Sequence, residues 1–289
     1  MADVLSGLPA PLIMGILLGG LYVLIAQGLS LVFGVMKIIN VAHGDFVIFS
    51  AYFGYAALTI MGIDPLISLI VGIPVWFIAG IIIQKYLFSR AFGLSLHAPL
   101  IIAFGISLIF QNLAQLFWSP MSRGLSTSYS MASVSFFGQS IPLIYLLDFL
   151  AALVIMIALR LFLKRTYLGK AISASSQDKR GAELMGINTG RVYSYAFGIA
   201  MVTASIAGVF LGLTFPFTPA SGVSYLIIAL GVIIIGGLGS MLGTFIGGMI
   251  LGLAQTLGGY FAGAATQMLF AYLIVLIVLA VRPQGIFGR

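Results

Sequence analysis

Apolar residues fill this chain in long blocks, and short polar interruptions divide one block from the next. About 20 residues of helix cross a bilayer, and on that measure the blocks predict helices near residues 10–34, 46–61, 65–85, 98–118, 143–163, 192–213, 222–236, 244–258 and 266–281. One interruption is far longer and more polar than the rest, Thr166 to Arg191, TYLGKAISASSQDKRGAELMGINTGR. Counted from Arg160, this region holds seven of the thirteen Lys and Arg residues and two of the six acids. Each charge at the centre of a bilayer costs about 2.5–3.5 kcal/mol on the insertion scale, so the segment stays in water, and its sign places it in the cytoplasm.

The grammar of that segment predicts a short surface helix between two spans. Ser175 followed by Asp178 is a weak capping box, and Gly186 suits a helix C-terminal cap. Thr189 is placed to cap the next apolar helix. A solvated basic loop and a helix that docks on a partner are both consistent with these residues.

Composition fixes the class. The chain has 289 residues, 61% of them hydrophobic and 7% charged, with a mean hydropathy of +1.20. From Val192 to Val281 no residue is charged. The expected fold is all-α, a polytopic transmembrane bundle of about eight or nine segments forming one unit over 1–289. Lys85 and Arg90 mark a second cytoplasmic loop, and Arg282 with Arg289 a cytoplasmic C-terminus. The Ser-rich stretch 119–140 carries only Arg123 and falls outside. The N-terminus is then external if every block spans, and one re-entrant block reverses it. The first residues lack a basic region and a small-residue cleavage pattern, so the first block is expected to serve as its own insertion signal. With no cysteine, disulfides and thiolate metal sites are excluded.

Glycine is frequent, at 36 residues, and spaced. Gly15 and Gly19, then Gly239, Gly243 and Gly247, then Gly248 and Gly252 each stand four apart, the spacing that lets helix backbones approach closely in lipid. Tyr22, Ile25, Ala26, Gly28 and Gly34 share their spacing with Tyr225, Ile228, Ala229, Gly231 and Gly237, as an internal repeat or by chance in a biased composition. Both copies run into a broken stretch: Lys37 to Asp45 after the first, Gly236 to Thr244 after the second. Interrupted apolar segments at corresponding places in two halves point to a transport site. The candidate substrate pathway is therefore Gln27, Asn40, His43, Asp45, Gly236, Gly237, Gly239 and Ser240.

Asn40, His43 and Asp45 are the one polar knot in the apolar N-terminal third. His43 and Asp45 suit proton transfer, and equally suit capping the helix that starts there. Only Asp45 among the acids stands a fair chance of lying at membrane depth. Gln27, Gln111, Asn112 and Gln115 are intramembrane amides that serve by default as packing contacts. No phosphate-binding G-x-x-x-x-G-K-[ST] loop occurs, nor H-E-x-x-H or G-x-S-x-G, and two histidines 54 residues apart make no metal cluster. The chain is expected to be no enzyme and to hold no cofactor or metal.

Several stretches together carry a resemblance: Gly20-Leu-Tyr-Val-Leu-Ile-Ala26, Ile38-Ile-Asn-Val-Ala-His-Gly-Asp45, Leu168-Gly-Lys-Ala171, Asp178, Ala182-Glu-Leu-Met-Gly-Ile-Asn188, Gly236-Gly-Leu-Gly-Ser240 and Arg282-Pro-Gln-Gly-Ile286. In this order and spacing the chain resembles, nearly end to end, the H-type permease subunits of bacterial branched-chain amino-acid ABC importers, a family that includes permeases for urea and short amides. The resemblance implies a non-catalytic permease of the bacterial inner membrane, translocating branched-chain or other hydrophobic amino acids. Its partners would be an M-type permease, two ATPase subunits that hold ATP and magnesium, and a periplasmic binding protein. It also implies that 165–191 is a coupling loop whose helix docks on the ATPase, with Ser176, Gln177, Asp178, Lys179 and Glu183 as the contact. Ser173 and Ser175 depart from the Arg or Cys common in that family. A stand-alone carrier or channel would need coupling ions or a selectivity ring, which the chain does not display.

Overall fold

In the computed structural model, which describes residues 7–92, 95, 97–136 and 139–288, the first apolar block is a helix, α1, over Pro9–Met36. It holds no charged residue, starts on a proline that needs no N–H partner, and stops where Lys37 turns left-handed at φ 57°. The remaining helices are α2 His43–Met61, α3 Pro65–Ile83, α4 Ala98–Trp118, α5 Leu143–Arg165, α6 Tyr167–Gln177, α7 Lys179–Leu184, α8 Thr189–Thr214, α9 Gly222–Gly236, α10 Met241–Ala262 and α11 Gln267–Val281. A π-helical turn, Gln84–Phe88, extends α3 toward Ala91.

Nine of the helices among the described residues are long and apolar enough to cross a membrane, and they fall on the nine predicted blocks. Three begin three residues earlier than the blocks do, at His43, Thr189 and Met241. Polar or small residues that read as breaks wind into first turns, whose N–H groups have no helical partner to lose. Within the outer Ser-rich stretch a short hairpin forms, β1 Ser133–Phe136 against β2 Gln139–Pro142, with Val134 opposite Ile141.

Burial separates the bundle into a centre and a rim. In the apolar stretch of α1, 89% of residues are buried and in α8 83%, against 6% in α11. Glycine is what lets α1 occupy the centre. Gly19 lies against the backbone of Gly248 in α10, Gly20 against Phe149 in α5, and Gly28 against the Ala200 carbonyl in α8. A methyl at any of the three would meet backbone atoms at under 3 Å, so the spacing-of-four expectation is realised as backbone contact. The two glycine rows of α10 serve different neighbours: Gly248 and Gly252 face α1, while Gly243 and Gly247 face α9. Between α2 and α4 the filling is aromatic. Phe110 meets Phe46 and Phe49 edge-on at 5.1 and 4.8 Å, and Tyr52 stacks on Trp118 at 4.9 Å.

Helix ends alternate between two ends of the bundle. One end gathers Lys37, Lys85, Arg90, the α5–α8 connection and Arg282, while Arg123 is the described basic residue at the other. There Arg123 exchanges backbone hydrogen bonds with Phe217, and the Tyr129 hydroxyl donates to Asp64 at 3.0 Å.

Candidate translocation lining and coupling segment

After Lys37 the chain turns back into the bundle instead of crossing to a new helix at once. Ile38 and Ile39 line a cleft of about 650 Å³ beside Phe33 and Met36, but Asn40 and Ala42 are buried. His43 Nε2 donates to the Ile25 carbonyl at 2.8 Å, eleven residues before the end of α1. At about 1.5 Å per residue, α2 therefore starts roughly 16 Å inside the end of α1. Because a carbonyl only accepts, the proton sits on Nε2.

The start of α2 meets the start of α9. Gly44 abuts the Gly222 carbonyl so closely that a methyl on Gly44 would overlap it, and Gly222 in turn lies on the Asp45 carboxylate. Asp45 is 3% exposed, and its Oδ1 accepts from Gln111 Nε2 of α4 at 3.0 Å. The same amide nitrogen lies 3.2 Å from Ser107 Oγ. Three elements thus converge on one buried carboxylate where α2 and α9 begin.

Of the residues singled out for the pathway, the structure brings Asn40, His43 and Asp45 together and separates the others from them. His43 and Asp45 do not bond each other, so no proton-transfer pair is present, and neither Ala42 nor Asp45 caps α2 by a side-chain bond. Gln27 faces the other way, toward α5, where its Nε2 reaches the Ala152 carbonyl at 3.4 Å. Gln27 Oε1 and Asn40 Oδ1 are buried without a hydrogen-bond partner among the described residues. Gly236, Gly237, Gly239 and Ser240 form the tight turn from α9 to α10, at the far end of α9 from Gly222. Gly237 and Gly239 take φ 99° and 81°, which glycine alone adopts at low cost. Gly239 sits on Gly34, and Ser240 Oγ caps α10 by accepting from Gly243 N at 3.1 Å.

The long polar segment forms two helices, not one, broken at Asp178. Thr166 Oγ1, not Ser175, caps the first, accepting from Gly169 N at 2.9 Å, and Ser175 is buried inside α6. Gly186 ends the second at φ 82°, as its position predicts. Asn188 caps α8 by accepting from Arg191 N at 3.0 Å, one residue before the expected Thr189. The Thr189 hydroxyl donates to Glu183 Oε1 at 2.6 Å and ties α7 to α8.

Packing fixes α6 under the bundle. Gly169 touches the Phe162 carbonyl at the end of α5, and buried Ile172 shares a crevice with Leu31, Val35 and Gly239. Gln177, Asp178 and Lys179 point away into solvent, while the Ser176 hydroxyl turns back to the Ser173 carbonyl at 2.8 Å. Two features were missed in the sequence. Leu184 and Met185 are 88% and 84% exposed beside the charged residues, a signal present as two apolar residues out of place in a polar segment. Asp148 is fully buried, so Asp45 is not the only acid at depth; its Oδ2 accepts from Thr214 Oγ1 at 2.9 Å. Among the described residues no group of His, Asp and Glu is arranged to hold a metal.

Comparison with known proteins places this arrangement. Over 16% identical residues, 99% of the chain and 98% of its counterpart superpose with a TM-score of 0.56 on the structure described as PsaBC from Streptococcus pneumoniae in complex with Fab, which shows a shared fold. The chain is 30% identical to the high-affinity branched-chain amino acid transport system permease protein BraD of Pseudomonas aeruginosa, across 96% of this chain and 95% of that protein. It is 31% identical to LivH of Salmonella typhimurium, named likewise, across 95% and 94%. With a probable branched-chain amino acid transport permease protein LivH of Methanocaldococcus jannaschii it shares 27% over 94% and 90%. The model of the family described as branched-chain amino acid transport system / permease component matches residues 12–279, and the chain belongs to that family.

Proposed function

We propose that the chain, acting over 1–289 as one permease domain, is the membrane subunit of an ABC importer that carries branched-chain or other hydrophobic amino acids across the bacterial inner membrane. ATP and magnesium belong to two partner ATPases, an M-type permease completes the membrane pair, and a periplasmic protein delivers the substrate. Eleven of the described basic residues gather at one end of the bundle and Arg123 stands at the other, which supports a cytoplasmic C-terminus and an external N-terminus.

The observation that carries this reading is the segment 165–191. Its inner face packs against α1, α5 and α8, and its outer face offers Gln177, Asp178 and Lys179 together with the exposed Leu184 and Met185. A rigid segment seated on three membrane helices passes a push from an ATPase to all three together. Ser176 and Glu183 brace the segment from within, through Ser173 and Thr189. Movement of α1 against α2 and α9 then bears on the Asp45–Gly222 contact. In this reading Asn40, His43, Asp45 and Gln27 line or flank the substrate path, and Gly236, Gly237, Gly239 and Ser240 form the hinge at its cytoplasmic end.

The test is reconstitution of the purified assembly in vesicles with a panel of leucine, isoleucine, valine and urea. ATP-dependent leucine uptake that Asp178→Ala weakens while ATP hydrolysis continues is the expected result. Uptake by this chain without ATP, or with urea as the preferred solute, refutes the reading.

A further inference from the structure

A second cleft, of about 460 Å³, lies on the rim between the end of α3 and the start of α8. That volume falls within the roughly 300–1,000 Å³ of small-molecule sites. Lys85 and Arg191 stand on its two walls, and Ile81 and Tyr195 line it about one helical turn further along α3 and α8. Both cations are exposed, and among the described residues neither has an acid partner. Lys85 Nζ instead lies 5.1 Å from the Tyr86 ring. Glu183, the acid nearest the start of α8, is engaged by Thr189. The dipole of the 26-residue α8 adds to the positive field on this wall.

The cleft is amphipathic along the helix axis. Ile78, Ile81, Ile82 and Lys85 share one face of α3 at helical spacing, and Ile78 and Ile82 are 56% and 50% exposed. An apolar track about two turns long therefore leads up from the paired cations. Lys85 itself sits in the π-helical turn, a rare form that is frequent at functional sites. Paired cations at the end of an exposed apolar track match one ligand, an anionic head attached to a hydrocarbon tail, and do not match a soluble anion, which has no use for the track.

We infer that the cleft between α3 and α8 binds an anionic phospholipid, its phosphate between Lys85 and Arg191 and an acyl chain along Ile81, Ile78 and Ile82. The lipid fastens the π-helical end of α3 to the first turn of α8, where the segment 165–191 ends. The site does not depend on which solute the protein moves.

The experiment is native mass spectrometry of the full chain released from nanodiscs of phosphatidylcholine that contain a minor fraction of phosphatidylglycerol. The wild type should retain phosphatidylglycerol above its share, and Lys85→Gln with Arg191→Gln should weaken retention about 30-fold, roughly fivefold for each cation. Both residues are exposed, so the fold is not at risk, and equal melting temperatures check that. Arg282→Gln, at the same end but outside the cleft, should change nothing. Retention equal in wild type and double variant, equal loss in Arg282→Gln, or displacement of the lipid by millimolar inorganic phosphate would each overturn the assignment.

Discussion

Truncating Leu184 and Met185 to alanine separates docking from folding. Each substitution removes three non-hydrogen atoms beyond Cβ, worth about 0.8 kcal/mol apiece when fully enclosed by a partner, or about 5 kcal/mol for the pair. A groove that encloses half of that surface loses about 2.5 kcal/mol, which is about a 60-fold rise in Kd. In the chain alone the two side chains are 88% and 84% exposed, so the same change should shift stability by no more than about 0.5 kcal/mol. The assay is equilibrium binding of the labelled ATPase to the permease held in nanodiscs, with melting of the permease measured in parallel. Expected are a Kd raised by one to two orders of magnitude, an unchanged melting temperature and a proportional loss of ATP-driven uptake. Asp178→Ala should weaken binding less, because an exposed charge pair contributes about 1 kcal/mol or below. An unchanged Kd in the double variant refutes the docking role of this face; a lowered melting temperature shows that the two side chains pack within the chain.

Asp45→Ala should cost about 1–3 kcal/mol in thermal unfolding by leaving Gln111 with Ser107 alone, whereas Asp45→Asn keeps an acceptor and should cost under about 1 kcal/mol; equal losses would show that charge, not the hydrogen bond, is what matters. Gly44→Ala sets a methyl on the Gly222 carbonyl and should destabilise by about 3 kcal/mol, visible as lost accumulation in the membrane, while Gly105→Ala, with nothing within 4 Å, should raise the melting temperature by removing about 0.5–1 kcal/mol of helix penalty. The Tyr129 phenol outside the bundle is pushed up to about 12, first by burial and then by its hydrogen bond to Asp64. Its folded value lies above the unfolded value of about 10, so the stability it contributes is whole below about pH 10 and is lost as pH rises toward 12. The melting gap between wild type and Tyr129→Phe should track that course, and a gap that persists at pH 12 contradicts it.

The nine membrane helices among the described residues were legible because each is its own signal. A chain segment in lipid must satisfy its backbone internally, so an apolar block of sufficient length has one solution, and block and helix coincide at both ends to within a few residues. Caps were less legible. Thr166, Asn188 and Thr189 all suit a helix start, and the residue that caps is decided by where the preceding helix ends, as at α5 for Thr166. The break at Asp178 was likewise hidden. Ala171, Ile172 and Ser175 read as one continuous face, but Gly169 and Ile172 fix α6 against α5 and α1, while α7, with Ala182 buried, is tied to α8 through Glu183 and Thr189.

The site was legible as chemistry and not as geometry. The polar knot at Asn40, His43 and Asp45 announces itself because nothing around it is polar, yet its partners lie at Ile25, Gln111 and Gly222, in three other helices. No local period encodes a contact between Asp45 and a glycine 177 residues away. What the sequence does carry is the permission for that contact: Gly44 and Gly222 are the two places where α2 and α9 have no side chain to hold them apart. The turn at Gly236–Ser240 looked equivalent because it is equally broken, but its glycines serve a reversal of direction and an approach to Gly34. A break that returns the chain into the bundle and one that only turns it round have the same composition. Their residues meet different neighbours: His43 and Asp45 bond to Ile25 and Gln111 of other helices, while Gly236, Gly237, Gly239 and Ser240 meet the adjoining turns of α9 and α10, Gly34 and the C-terminal segment.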